Sequence, residues 1–571
     1  MRLTPEQENI LEGKQGKTRQ KAIRLLIDLG KAANAEKLVP VTSAHVSGVS
    51  PLTGGDGLIQ FLEDLVGDSD GTAVVDTTLN SAGCDRSRFE EMDIPAKDYV
   101  EKQQMILDAY EKLGIELSLS CTPYDNMLQE GNASWAESNA VCFANSYSEL
   151  RTNRESGLSA LATSLSGFTP EYGLLLDENR IPNIKVNVLC ELKEPVDYSI
   201  LGDWIGKQID PKWKLEFGPI PHIYGITNFD FESKKALTAA SANYGSALLF
   251  VDSFTKEPTD IKYQAEINFD YKDLEKRYED LAPKTEVDLV TIGCPQASME
   301  EIERTAGFVK DKIIPEKRLW VFTSSVNFDE ANEKGYVKTI EKAGGMVLRE
   351  TCPEVVHYNH KKVKHILTNS MKAEHYLKSG LNSINTSVSR LSECIKHAEN
   401  KKLLTKETVK EIKSKTKNLM SNKTLKTGIL EISGKGLESQ KDWDIEGEAL
   451  VTDVPITFLG FVNRDTGTIE EEGHPLDGVS MANKILIFPK GSGSTVAPYV
   501  LLGLFYNGNG PKAIINTDLD QQTIPACSLL AVPYAHSFEK NPCNEVNSKD
   551  KISLTLKNGR VTLRIVKRHE H

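Results

Sequence analysis

Cysteine is scarce in this chain, with nine residues in 571, scattered along its length. That is too few and too irregular for a disulfide scaffold. No run of about 18 apolar residues occurs, so no membrane span is expected. The opening MRLTPEQENILEG lacks the continuous apolar core of a signal peptide. Thr4, Pro5 and Gln7 are spaced instead as N-cap, first-turn proline and capping-box partner of a helix. Positive charge is in deficit: 68 Lys and Arg stand against 81 Asp and Glu, a net charge of −13. A general nucleic-acid binder needs the opposite balance. Internal repeats and low-complexity tracts are missing too. These absences predict a cytoplasmic protein with neither nucleic acid nor membrane as partner. In a reducing compartment its cysteines are buried, reactive or metal-bound.

What is present is an ordinary globular composition, 39% hydrophobic and 26% charged. A chain of 571 residues is too long for one core, and three or four domains are expected. Up to about residue 390, β-rich runs such as KLVPVTS, TAVVDTT, IELSLS, VDLVTIG, RLWVFTSS and GMVLRET alternate with helical patterns such as KDYVEKQQMILDAYEKLG and SMEEIERTAGFVKDKI. That alternation predicts an α/β fold of parallel sheets covered by helices. Residues 360–380 and 383–420 read as helical, the second ending in a lysine-rich helix or linker at 396–422. After residue 422 strands and turns dominate. The expected division is an α/β region over 1–395, that linker, and a β-rich domain over 423–571.

One phrase recurs. DLVTIGCPQAS, ELSLSCTPY and MVLRETCPE each end an apolar run on a cysteine with a proline close behind, at Cys294, Cys121 and Cys352. Ligands of open α/β sheets bind at the carboxyl ends of strands, so three cysteines there suggest one shared site. HVSGVS and LNSAG follow the first two strands and belong to the same edge. Thiolates are the usual ligands of iron–sulfur clusters, and three would leave one iron open as a Lewis acid. Zinc held by three cysteines is the competing metal, and three small buried hydrophobes the structural alternative. Cys84, Cys142, Cys190, Cys394, Cys527 and Cys543 lack this setting and read as structural. A second motif, FPKGSGSTVAPYVL, places Gly491, Ser492, Gly493, Ser494 and Thr495 between a strand and a helix. N–H groups at such a helix start hold anions or stabilise an alkoxide, and the same loop also suits an ordinary turn.

PVTSAHVSGVS, DTTLNSAGCD, ASWAESNAVCFANS, RTNRESGLSALATSLSGFTPEYGL, GCPQAS, TCPE and LTNSMKAEHYL resemble the large component of the aconitase X family. HPLDGVSMANKILIFPKGSGSTVAPYVL resembles its small, swivelling component. The two are fused here, large part first. The resemblance implies an aconitase-like fold whose C-terminal swivelling domain closes over the cluster-bearing domains, with no separate small subunit needed and a monomer or homodimer as the assembly. It implies an iron–sulfur dehydratase with Cys121, Cys294 and Cys352 on the cluster, [4Fe-4S] with one open iron or alternatively [2Fe-2S], and Ser494 as the base, Ser492 being the other register. SAHVSGVS resembles the branch that dehydrates mevalonate 5-phosphate. The alternative branch acts on cis-3-hydroxy-L-proline. Gly48, Val49, Ser50 and Asn80 are then expected to hold a phosphorylated hydroxy acid, as a Gly/Ser loop at strand ends can. The chain departs from the family pattern at Pro51, Ser81, Ala497 and Pro498.

In the mechanism this implies, Ser494 removes a proton next to the substrate carboxylate while the hydroxyl leaves to iron. Arg151, Arg154 and Lys372 are candidate anion partners. Glu137 and Asn145 could support substrate, cluster or helix packing. His45 reads as structural, and His375 as support for an anion or a solvated face. A non-catalytic iron-responsive binding protein is the rival from another class, disfavoured by acidic charge and by Ser494. A zinc hydrolase is disfavoured by the lack of a His-x-x-x-His pattern beside the cysteines.

Overall fold

The computed structural model describes residues 1–67, 71–125, 130–210, 212–213, 215–379, 381–400 and 431–569. The chain opens as the capping signal dictates. Thr4 caps the helix Pro5–Leu11 in a complete capping box with Gln7. Three all-parallel sheets follow, as the alternation of β-rich runs and helical patterns predicts. The first joins Asp76–Leu79, Ser43–Val46, Glu130–Trp135 and Glu149–Arg151, in that order. The second joins Ala265–Phe269, Ile184–Val188, Pro221–Tyr224 and Phe250–Val251. The third has five strands in the order Met346–Arg349, Leu319–Thr323, Leu289–Ala297, His365–Thr368 and Asn385–Val388. The C-terminal region closes seven strands into a barrel between Glu431 and Lys567.

The second and third sheets each have a hydrophobic core of their own. The first sheet's helices and the barrel share one. Leu26, Leu58 and Leu158 belong to the same buried cluster as Leu486, Tyr499 and Leu502. At its centre the helices Pro51–Gly67 and Ala497–Tyr506 meet backbone to backbone. A Cβ added at Gly57 would lie 2.6 Å from the Gly503 Cα. Arg464 of the C-terminal region donates to the carbonyls of Leu52 and Thr53 at 3.2 and 2.6 Å. Asp28 accepts from the Ser439 backbone N–H at 2.9 Å and from the hydroxyls of Ser439 and Ser528.

Several expectations are corrected. IELSLS forms no named strand. Glu116 bridges Thr78, the Ser118 hydroxyl takes over bonding to Leu79, and Leu119 has φ of 46°. Residues 385–388 are a strand rather than helix, because β-branched Thr386 and Val388 complete the third sheet beside His365–Thr368. The C-terminal region holds more helix than its texture suggested, at Ala497–Tyr506, Thr523–Leu529 and Pro542–Glu545. Of the lysine-rich linker, residues 401–422 lie outside the described residues. Among the described residues no helix is long and apolar enough to cross a membrane.

Candidate active site

The three cysteines arrive by different routes. Cys294 sits inside its strand rather than at the end. The strand leaves register with Leu319–Thr323 between Ile292 and Ala297, so residues 293–296 bulge out, with Gly293 at φ of 101°. The Cys294–Pro295 peptide is cis. Cys352 follows the strand Met346–Arg349, and Cys121 follows the irregular segment along Asp76–Leu79. One side chain staples all three segments together. Gln296 donates its amide to the carbonyls of Leu119 and Thr351 at 3.3 and 3.0 Å. Its carbonyl accepts from the Cys121 N–H and its own N–H donates to the Cys121 sulfur, both at 3.3 Å.

All three thiols are buried. Burial pushes Cys121 up to about 12, and raises Cys294 and Cys352 well above the usual thiol range. Cys352 faces both of the others electrostatically. Among the described residues no three His, Cys, Asp or Glu side chains converge as ligands of a single ion do. Cysteines that each take a different iron of a cluster need not converge so closely. Three thiols are a donor set that an iron–sulfur cluster can take as ligands.

Beside the sulfurs lies a buried charge network. Lys372, near the start of the helix Met371–Lys378, donates to Glu137 at 2.6 Å and to the Asn139 side-chain carbonyl at 2.5 Å. It stands 3.6 Å from Glu354. The other Glu137 oxygen accepts from the Asn80 amide at 2.6 Å, and Glu354 accepts from the Cys294 thiol at 2.9 Å. Burial opposes ionisation of Glu137, but Lys372 outweighs it and holds the carboxyl below its ordinary value. Burial also opposes charge on Lys372, and the two carboxyls outweigh it and raise its value well above the usual range. For Glu354 burial wins, helped by Glu137, and the carboxyl is raised. One cation thus faces two buried carboxyls whose values are driven in opposite directions.

Asn80, Glu137, Glu354 and Lys372 line a small cavity that is partly open to solvent. Ser47, Gly48 and Val49 form one wall, Asn80 and Ser81 another, and Ser494 and Thr495 of the glycine loop close the third. The loop after Ser43–Val46 is held from behind. Its carbonyls at Ser47, Gly48 and Val49 accept from Tyr499, Tyr110 and Gln103 at 3.1, 3.2 and 2.7 Å. Ser494 precedes the helix Ala497–Tyr506, and its hydroxyl accepts from the Val496 N–H at 3.4 Å. Ser492 is committed elsewhere, bonding Thr457 at 2.8 Å.

The remaining predicted residues divide clearly. Ser50 caps the following helix, accepting from the Thr53 N–H at 3.1 Å, and does not line the cavity. Arg151 pairs with Asp177 at 2.7 Å, and Arg154 donates to the Gly493 carbonyl at 2.8 Å. Neither lines the cavity. Asn145 spends its amide on the carbonyls of Thr152 and Ala247 and is structural. His45 is fully buried and bonds Thr78 at 2.8 Å, and burial lowers it to about 4. His375 packs against Tyr244 and Tyr376. Sequence reasoning missed Glu354, Gln296, Ser47 and Tyr376. For Glu354 a signal existed, since it directly follows Cys352–Pro353.

With this geometry in hand, comparison with known proteins becomes informative. Three family models match: aconitase X first domain over residues 1–178, aconitase X third domain over 287–400, and aconitase X swivel domain over 438–563. The phosphomevalonate dehydratase large subunit of Methanosarcina mazei is 35% identical over 409 residues, 70% of this chain and 97% of that protein. The small subunit of Methanosarcina acetivorans is 37% identical over 118 residues, 21% of this chain and 82% of that protein. A cis-3-hydroxy-L-proline dehydratase of Pseudomonas aeruginosa is 29% identical over 402 residues, 66% of each chain. The solved holo-form of Thermococcus kodakaraensis aconitase X superposes with a TM-score of 0.62 at 35% identity, covering 70% of this chain and all of that one. These relatives overturn one expectation. Large and small subunits are separate proteins among them. The likeness to a large subunit points to a partner chain, so working without one, as a monomer or homodimer, no longer stands.

Proposed function

Because the chain belongs to the aconitase X family, we propose that it is a hydro-lyase that dehydrates mevalonate 5-phosphate. The product is the unsaturated anhydromevalonate phosphate, and the pathway is isoprenoid biosynthesis from mevalonate. The observation that carries the substrate reading is the loop after Ser43–Val46. Three successive carbonyls are tied back there, each leaving the N–H of the following peptide on the opposite side, and Gly48 and Val49 line the cavity. Backbone N–H groups so arranged make a phosphate cradle. Greater similarity to phosphomevalonate dehydratases than to hydroxyproline dehydratases supports the same choice.

Gly48, Val49 and Asn80 bind and orient the substrate, and Lys372 faces its carboxylate. Cys121, Cys294 and Cys352 would hold the iron–sulfur cluster, taken as [4Fe-4S] with one iron free of protein ligands. When bound, the cluster supplies a Lewis acid for the substrate's tertiary hydroxyl. Ser494 takes the proton from the carbon beside the carboxylate. Its alkoxide is favoured by the Val496 N–H and by the positive end of the helix behind it. Loss of that proton and of the neighbouring hydroxyl leaves a carbon–carbon double bond and water. A reducing cytoplasm suits nine cysteines that are all free.

The test is turnover. Protein prepared anaerobically and assayed for iron and sulfide is offered mevalonate 5-phosphate and cis-3-hydroxy-L-proline. The reading expects water loss from the phosphate alone. Turnover of hydroxyproline alone would keep the chemistry and discard the phosphate loop.

A further inference from the structure

We propose that Tyr499, carried by the C-terminal domain, is a positioning residue for the substrate's anionic group. It sets the peptide between Ser47 and Gly48 only while that domain is docked, so anion binding and the seating of Ser494 are coupled. This rests on the reading of loop 47–50 as a phosphate cradle.

The loop's three tied carbonyls are not held by one domain. Tyr110 and Gln103 hold those of Gly48 and Val49 from the helix Tyr99–Lys112, which packs within the first domain. The Ser47 carbonyl is held by Tyr499 alone among the described bonds, at 3.1 Å, from the helix Ala497–Tyr506. In a planar trans peptide the carbonyl and the next N–H point opposite ways. Fixing the Ser47 oxygen on Tyr499 therefore fixes the Gly48 N–H on the other side. Gly48 has φ of +88°, where glycine is free to let this peptide rotate. The tyrosine ring leaves no alternative residue there: an added Cβ would lie 2.1 Å from it. At Gly157 an added Cβ would lie 2.5 Å from the Tyr499 hydroxyl. Tyr499 is fully buried in this seat.

The same helix start carries the base. Ser494 stands five residues before Tyr499. Between them, Thr495 bonds the Ser47 hydroxyl at 3.1 Å and accepts from the Gly157 N–H at 3.0 Å. Docking this helix thus completes the cradle and delivers Ser494 in one movement. By linkage the effect is reciprocal: an anion that binds better to the docked arrangement must favour docking by the same factor.

The experiment is titration calorimetry of inorganic phosphate and of mevalonate 5-phosphate into the full-length protein and its Tyr499→Phe variant. Amide exchange at 47–50 and 497–506 is followed with and without ligand. The expected result is a Kd raised about tenfold for both ligands in the variant, with KM raised in parallel. In the unaltered protein either ligand slows exchange in 497–506 as well as in the loop. In the variant protection stays in the loop. Equal Kd values in the two proteins overturn the inference and leave the phosphate reading standing. Should the variant not fold, the unaltered protein decides alone: ligand binding without added protection at 497–506 overturns the coupling. Failure of the unaltered protein to bind either ligand overturns the cradle itself, and the inference with it.

Discussion

At the scale of single residues, the site is a set of groups whose neighbours fix their charge. Among the described residues the Ser494 hydroxyl makes one long hydrogen bond, so Ser494→Ala should leave the melting temperature unchanged. It should cost about 10²- to 10⁴-fold in kcat, the usual weight of a positioned proton-transfer group. Kinetics beside calorimetry would check both halves. Glu155 offers a different test, outside the cavity. Burial, only partly offset by Ser159, Tyr172 and Asn153, raises its carboxyl to about 7. An acid whose value rises on folding favours the folded state while protonated. Its contribution is complete below about 4.5 and is lost as pH climbs through about 7. Glu155→Gln should therefore flatten the decline in melting temperature between pH 5 and 8. A variant with the same slope as the parent would remove Glu155 as the cause.

At the scale of elements, the cysteine wall depends on segments that do not pair as regular strands. Gln296 joins the segments ending at Leu119–Cys121 and Thr351 to its own bulge. Gln296→Leu leaves buried carbonyls without donors and should cost about 2–4 kcal/mol, since each orphaned group carries a desolvation penalty. Chemical denaturation would measure the loss. Iron bound after anaerobic reconstitution should fall with it, whereas full iron loading at reduced stability would confine Gln296 to folding. The strand at 385–388 teaches the complementary lesson. Its pattern is too short to declare itself in the sequence, and its state is set by the empty edge of a parallel sheet.

At the scale of the whole molecule, the second and third sheets each bury a core of their own, while the first sheet and the barrel share one. Chelation of iron should therefore abolish turnover and leave the far-ultraviolet circular dichroism spectrum and cooperative unfolding in place. Collapse of the secondary structure on chelation would instead make the metal part of the fold.

The sequence alone supplied the candidates for the chemistry. Cysteine beside proline at the end of an apolar run is a local pattern, and so is a Gly/Ser loop between strand and helix. Alternating strand and helix patterns were enough for the parallel α/β architecture, because hydrophobic periodicity is set within each element. Which candidates meet was decided only by tertiary structure. Arg151 and Ser50 sit in motifs as persuasive as that of Lys372, yet their partners are Asp177 and Thr53. Glu354, Gln296 and Tyr499 act on residues 60, 175 and 452 positions away. Burial, the balance of two carboxyls against one ammonium, and the docking of the barrel on the first domain all arise between segments remote in the chain, where no local pattern can record them.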